Sequence, residues 1–282
     1  MQELQQELWR LEGPRVHAHV GDLAWWATMR FGAEREWKRR LWLEDGRCVA
    51  WAWLDRPGSL DHEVHRDHRG GALHEEVLDW FESEAEADAP LNAWAMDGDE
   101  ATSQLLGRRG YEQPEPFKSL LYYVCELDRP VEVPPLPVGF ALRTVRGEAD
   151  VYERVEVHRA AWAPSRFTEE SYRNVIRVWP YRADLDCVVE APDGTFAAYV
   201  LCWYDDANRV GELEPVGTRP EHRRRRFGSA VCLFALRLLR EAGAQAAIVY
   251  AGGRDADKPA RSLYESIGFR RHTRMVELRK PR

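Results

Sequence analysis

Apolar and polar positions in the second half of the chain follow an order that reads directly as elements. Residues 140–145 alternate with the period of two expected of a strand, and 151–162 take helical spacing with acidic residues near their start. Thr168, followed by Glu169 and Glu170, predicts the capped start of another helix. Residues 185–190 and 196–204 flank Pro192-Asp-Gly-Thr195, a turn between two antiparallel strands. Residues 209–218 form a further strand. After a polar, basic turn, 227–240 carry a long apolar face that ends at Gly243, a helix with a glycine stop. A short buried strand at 246–250 and a helix at 256–267, ended by Gly268, come next. Two strands, 269–273 and 275–279, close the sheet.

The first half repeats this order. Strands at 40–43 and 48–54 flank Glu44-Asp-Gly46, and the polar run His65-Arg-Asp-His-Arg-Gly-Gly71 leads into a helix at 73–84. A strand at 91–96, a helix at 100–108 ended by Gly110, and a strand at 119–127 follow. The Asp-Gly turns, the His-Arg pairs and the Gly-aromatic stops of the two halves lie 148, 154 and 158 residues apart. Such slow drift is what loop insertions leave between duplicated domains. Between the copies, Asp128–Gly139 holds four prolines in eight positions, a spacer that can form neither helix nor central strand. The predicted division is therefore 1–130, a linker at 131–138, and 139–282.

Composition narrows the class. With 282 residues the chain suits two domains of about 140 residues. It is 44% hydrophobic with twelve tryptophans, which argues for packed cores. A net charge of −7 gives no field for nucleic acid, although a local basic cluster remains an alternative reading. No stretch approaches the about 20 apolar residues of a membrane helix, and the N-terminus, with Glu3 and Glu7, lacks the apolar core of a signal peptide. Five dispersed cysteines without a CxxC pair predict buried thiols in a cytoplasmic protein.

The segment that carries chemistry is Glu212-Leu-Glu-Pro-Val-Gly-Thr-Arg-Pro-Glu-His-Arg-Arg-Arg-Arg-Phe-Gly-Ser-Ala230. A strand enters a turn crowded with arginine, and Gly228 and Ser229 open a helix. Unpartnered first-turn amides, a positive helix end and guanidinium groups together make a place for a phosphate or diphosphate. A solvated basic turn is the plain alternative.

Here the sequence resembles the GNAT superfamily of acyl-CoA-dependent N-acyltransferases. Its loop signature, Pro-x-x-Arg-Gly-x-Gly-(aliphatic)-Gly-x-Ala-Leu, is met at Pro220, Arg223, Gly228, Ala230 and Val231, whereas Arg224 and Arg226 stand where glycines are usual. Its second signature, Asn-x-x-Ala-x-x-(Leu/Phe)-Tyr-x-x-x-Gly-Phe, reads Asp257-Lys-Pro-Ala-Arg-Ser-Leu-Tyr-Glu-Ser-Ile-Gly-Phe269, with Asp257 replacing the asparagine. The resemblance covers the second half closely and the first half loosely.

It implies an α+β fold: two tandem GNAT-like domains, each a mixed, mostly antiparallel central sheet flanked by helices in three layers. It implies an acyl-CoA, most simply acetyl-CoA, as co-substrate and direct attack by the amine of a small-molecule acceptor, without a metal. Val216, Gly217, Thr218, Arg223, Arg224, Arg225, Arg226, Phe227, Gly228, Ser229 and Asp257 would hold the cofactor, and Tyr264 would protonate the departing thiolate. Glu212 and Glu214 share one strand face and either could serve as base; Glu214, nearer the loop, is preferred. His62, His65, His68 and His74 cluster but fit no ligand spacing. His68-Arg-Gly-Gly71 reads instead as a worn copy of the phosphate loop, and Leu106 occupies the tyrosine position of the first half. The first half is then expected to pack against the second and to wall one side of the acceptor cleft. The rival reading is a non-catalytic acyl-CoA-binding protein. The expected assembly is a monomer or homodimer, with no nucleic acid or membrane partner.

Overall fold

The computed structural model describes residues 1–32 and 36–281. Two helices, α1 (Gln2–Glu12) and α2 (Val20–Thr28), precede the first strand. The first half then runs β1 (Lys38–Glu44), β2 (Arg47–Arg56), β3 (Ser59–Val64), α3 (Ala72–Glu84), β4 (Leu91–Met96), α4 (Glu100–Arg108) and β5 (Ser119–Glu126). The second half runs β6 (Ala141–Thr144), α5 (Val151–Ala161), α6 (Glu169–Val175), β7 (Asp186–Glu190), β8 (Phe196–Asp205) and β9 (Val210–Thr218). It ends with α7 (Phe227–Glu241), β10 (Ala246–Gly252), α8 (Lys258–Ser266) and β11 (Arg270–Lys280).

Four elements differ from the sequence pattern. Helices α1 and α2 and strand β3 were not expected, because their apolar positions are sparse or interrupted by histidine and aspartate. Leu4 and Leu8 nevertheless bury the inner face of α1, and His19 and Asp22 close a reciprocal capping box on α2. The two closing strands are one strand, β11, whose pairing with β5 shifts register between Arg271 and Thr273 without ending.

All eleven strands form one sheet in the order β1-β2-β3-β4-β11-β5-β10-β9-β8-β7-β6. The last strands of the two halves are exchanged. β11, from the second half, pairs antiparallel with β4 of the first, and β5, from the first half, pairs antiparallel with β10 of the second. β5 and β11 also pair with each other, so the mixed sheets of the two GNAT-like halves are continuous. The segment between β5 and β6 contains the prolines at 130, 134, 135 and 137 and no regular element.

Each half has its own core. In the second, α7 lays Phe227, Val231, Ala235 and Leu239 on Cys187, Val200 and Leu213 of the sheet. In the first, Val77, Leu78 and Phe81 of α3 pack on Ala50, Ala52 and Leu60. A third cluster bridges the halves, joining Trp25 of α2 to Val155, Tyr172 and Trp203. That cluster fixes α2 beside the second half's site.

Candidate active site

The site begins with a local fault in the sheet. Opposite β8, β9 carries one extra residue: Val216 faces Val200, yet Leu213 faces Cys202. Pro215 accounts for this, since it has no N–H to give to the ladder. The Trp203 indole N–H donates instead to the Glu214 carbonyl at 2.6 Å.

On its other edge β9 pairs in parallel with β10 only from Val210 to Glu212. Beyond Glu212 and Ile248 the two strands part, while β10 stays paired with β5 as far as Gly252. A wedge therefore opens at the carboxyl ends of two parallel strands, where α/β sheets receive ligands.

At the end of β9 the chain turns through 219–226 into α7. Arg224 and Arg226 both hold φ at 63°, the left-handed conformation that glycine adopts without cost. The loop thus keeps the backbone of the glycine version while bearing two arginines. No side chain caps α7, and the first amide returned to the chain there is that of Ala230, onto the Arg226 carbonyl at 3.0 Å. The amides of Phe227, Gly228 and Ser229 are left pointing out of the helix end. Helix and strand are close: a Cβ on Gly228 would lie 3.2 Å from Thr218 Oγ1.

The four arginines divide by role. Arg223 donates to the carbonyls of Thr218 (3.4 Å) and Ala161 (3.2 Å). Arg225 lies 3.2 Å from His222 Nδ1 and covers the rings of Phe140 and Phe227. Arg224 and Arg226 are exposed, and their side chains have no hydrogen-bond or ionic partner among the described residues. Asp257, at the end of β10, accepts from the Arg254 backbone (3.3 Å) and side chain (3.2 Å). Val216 and Thr218 are half-buried along the edge of the wedge, and Gly217 is buried between them.

Tyr264 projects from α8 and is 7% exposed; its hydroxyl has no hydrogen-bond partner among the described residues. Burial raises its pKa well above the usual range, and the charges of Cys232 and Glu214 add to this. Glu214 is half-buried in the bulge, and burial, then the neighbouring Asp22, lift its pKa to about 8. Glu214 is thus among the groups whose charge holds the Tyr264 proton in place. Glu212 sits at the apex with 0% exposure, its Oε2 3.1 Å from His19 Nδ1. Its pKa is pushed well up by burial and then by Glu214. Asp22 hydrogen-bonds to it, and burial, followed by Glu212, raises Asp22 in turn. Burial holds His19 down at about 4, so it is neutral.

Sequence patterning missed His19 and Asp22. The signal for them was the His-x-x-Asp spacing before the apolar run of α2, which reads as a helix cap and says nothing of a distant strand.

The same place in the first half is built but closed. β3 and β4 pair only at Ser59 and Asn92, and a cleft of about 510 Å³ lies beyond. Arg69, the loop arginine in line with Arg223, is bound by Glu12 (2.9 Å), Glu63 (3.2 Å) and Asp99 (3.8 Å). The Gly70 amide donates to His74 Nδ1 at 3.2 Å, and His74 Nε2 meets His62 Nε2 at 3.1 Å. Leu106 is fully buried. Among the described residues, no three His, Cys, Asp or Glu side chains are grouped to hold a metal ion, and no helix is long and apolar enough to cross a membrane.

Comparison with known proteins agrees with this geometry. The model of the acetyltransferase (GNAT) family matches residues 150–269. A mycothiol acetyltransferase of Saccharomonospora viridis is 30% identical over 221 residues, covering 73% of this chain and 69% of the relative. Another, from Pseudarthrobacter chlorophenolicus, is 28% identical over 236 residues, covering 77% and 68%. The fold is shared with a tandem GNAT protein from the clavulanic acid biosynthesis pathway, with TM-score 0.69 and 16% identity over 99% of this chain and 93% of that one. A GCN5-related N-acetyltransferase from Sphaerobacter thermophilus has TM-score 0.66 and 21% identity, covering 84% and 78%. The chain belongs to the GNAT family as a tandem, acetyl-CoA-dependent N-acetyltransferase acting on a small-molecule amine.

Proposed function

We propose that the second half performs the transfer, that the first half has given up cofactor binding, and that the acceptor is a primary amine of the mycothiol type for which the relatives are named. The observation that carries this reading is the pairing of one open loop with one closed loop. Around α7, three helix amides and the side chains of Arg224 and Arg226 are unused and suit a pyrophosphate. Around α3, Arg69, in line with Arg223, and the Gly70 amide are bonded inside the protein, and Gly70 and Ala72 stand where the second half has Arg224 and Arg226.

Arg223, Arg225 and Phe227 would brace the loop, and Arg224, Arg226, Gly228 and Ser229 would meet the phosphates. Val216, Gly217 and Thr218 would offer the edge of β9 to the rest of the cofactor, with Asp257 at the end of β10. Acetyl-CoA, when bound, supplies an acetyl group activated as a thioester. Tyr264 holds its proton on Oη for the departing sulfur, and its raised pKa keeps that proton in place until sulfur carries charge. Glu214 Oε takes a proton from the amine; a carboxyl near pH 8 is matched to that task.

The acceptor enters from a second cavity, of about 250 Å³, between the halves. It is walled by Trp26, Trp37, Trp53 and Trp94 and reaches Asp22 and Tyr250, beside the wedge. Every group named belongs to one chain, so a monomer can form the site. The five free cysteines suit a reducing cytoplasm.

Thiol release from acetyl-CoA, measured over deacetylated mycothiol and a panel of other primary amines, tests this. Turnover of the mycothiol-type amine with the highest kcat/KM is expected. Calorimetric binding of acetyl-CoA without release for any amine would instead make the protein a non-catalytic binder.

A further inference from the structure

Three carboxyl groups meet where β9 and β10 part, and they come from both halves: Asp22 from α2, Glu212 and Glu214 from β9. Asp22 is 4% exposed and also lines the cavity between the halves. Of the aspartates lining that cavity, Asp55 is paired with Arg56 at 3.1 Å and Asp61 with His17 at 3.1 Å. Asp22 has a different partner, the acid Glu212. Two carboxyl groups hydrogen-bond to each other only when at least one holds a proton, and no lysine or arginine is bonded to either acid among the described residues. Glu212 Oε2 lies 3.1 Å from His19 Nδ1, and no N–H donor reaches the buried Glu212 Oε1. Holding a single shared proton, such a pair is an anion that is costly to bury unless a positive charge meets it.

We propose that Asp22, contributed by the half that lacks the motifs, receives the ammonium group of the acceptor and takes its first proton, which makes the first half a working part of the active site. This rests on the reading that the cavity between the halves admits the amine. The step balances. One N–H bond of the ammonium breaks, its electron pair stays on nitrogen, and the proton joins the Asp22–Glu212 pair, which becomes neutral. The free amine can then attack, and its second departing proton goes to Glu214. The pair later returns its proton to solvent.

The groups facing Asp22 are His19 on its own helix, Glu212 and Glu214 of β9, Tyr122 of β5, Tyr250 of β10, and His17. Arg30 and Arg56 are the cations of the cavity wall. His19 is neutral at working pH, and both tyrosines hold their protons more firmly than usual, chiefly through burial. Glu212 and Glu214 therefore share any proton that Asp22 accepts.

The variant Asp22→Asn tests the proposal, because an amide oxygen can still cap α2 by accepting the His19 backbone N–H, now bound at 2.7 Å. With the amine from the panel that is turned over best, the acceptor KM should rise tenfold or more while the acetyl-CoA KM stays within twofold. The acidic limb of kcat/KM against pH should also move, and Asp22→Glu should recover part of the loss. An acceptor KM within twofold of the parent, or equal losses for both substrates, would overturn the proposal.

A second measurement needs no acceptor. The infrared band of a protonated carboxyl at pH 7 should be present in the parent and reduced in both Asp22→Asn and Glu212→Gln; its absence from the parent also overturns the idea. If no amine is turned over while this band behaves as expected, the acceptor reading fails and the shared proton stands.

Discussion

Gly21 of α2 lies against Trp203 of β8 so closely that a Cβ at position 21 would fall 2.2 Å from the indole Cγ. The first half touches the second half's site through this contact, with Asp22 and His19 on either side of it. Gly21→Ala must push α2 off the sheet or turn the indole, which also donates to the Glu214 carbonyl. Overpacking of this kind costs about 1–3 kcal/mol. The expected outcome is a lower urea midpoint together with a loss of acceptor turnover, at nearly unchanged acetyl-CoA affinity by calorimetry.

Tyr264→Phe removes one oxygen that has no protein partner among the described residues. Stability should hardly change, since no internal hydrogen bond is lost. Turnover should fall by about 10²-fold or more, the usual contribution of a positioned acid. Steady-state thiol release checks it: kcat drops and the acetyl-CoA KM stays within about threefold. An undiminished kcat removes Tyr264 from the acid role.

Arg226 occupies a left-handed position at the start of α7. Arg226→Gly relieves that backbone and should raise stability by about 1 kcal/mol. The same change removes a guanidinium with no protein partner, so acetyl-CoA affinity should fall several-fold. Thermal melts and calorimetry on one preparation separate the two effects. Tighter binding would show that the arginine obstructs the loop.

Three histidines set an acid limit on the fold. Burial lowers His19 to about 4, His74 to about 4 and His158 to about 3, all beneath the ordinary 6.5. In the unfolded chain they gain protons near pH 6.5, whereas in the folded protein they stay neutral until pH 3–4. Their contribution to stability is therefore complete above pH 6.5 and is lost as pH falls toward 4. His158→Gln retains an acceptor for the Tyr199 hydroxyl, now 2.7 Å from Nδ1, without titrating. Between pH 7 and 4.5 it should lose about 2 kcal/mol less than the parent in urea unfolding.

How much was legible beforehand follows from which forces are local. The Asp-Gly hairpins, the glycine stops and the apolar faces of α3 and α7 are set by neighbours within a few residues, so strands such as 91–96 and helices such as 100–108 could be read directly. The loop arginines were legible as a basic turn before a long apolar helix, whereas Tyr264 was singled out only through the resemblance of its motif to the GNAT signature. Strand β3 was not, because Ser59, Asp61, His62 and Glu63 are polar residues that burial between the halves forces inward. Asp22 was hidden for a related reason. Its meaning depends on Glu212, far along the chain, and no local pattern reports such a meeting. The exchange of β5 and β11 is likewise a choice of partner among similar edges, which alternation cannot express.

That exchange governs which parts of the molecule are free to change. A duplicated unit that only leaned on its twin could decay throughout once its chemistry lapsed. Here the first half lends β5 to the working sheet and borrows β11 to complete its own. Its turn at 65–71 can therefore hold a knot of internal ion pairs, as at Arg69, without loosening that framework. Its final strand is held to the register that the second half requires, and each half survives as a framework its twin cannot do without.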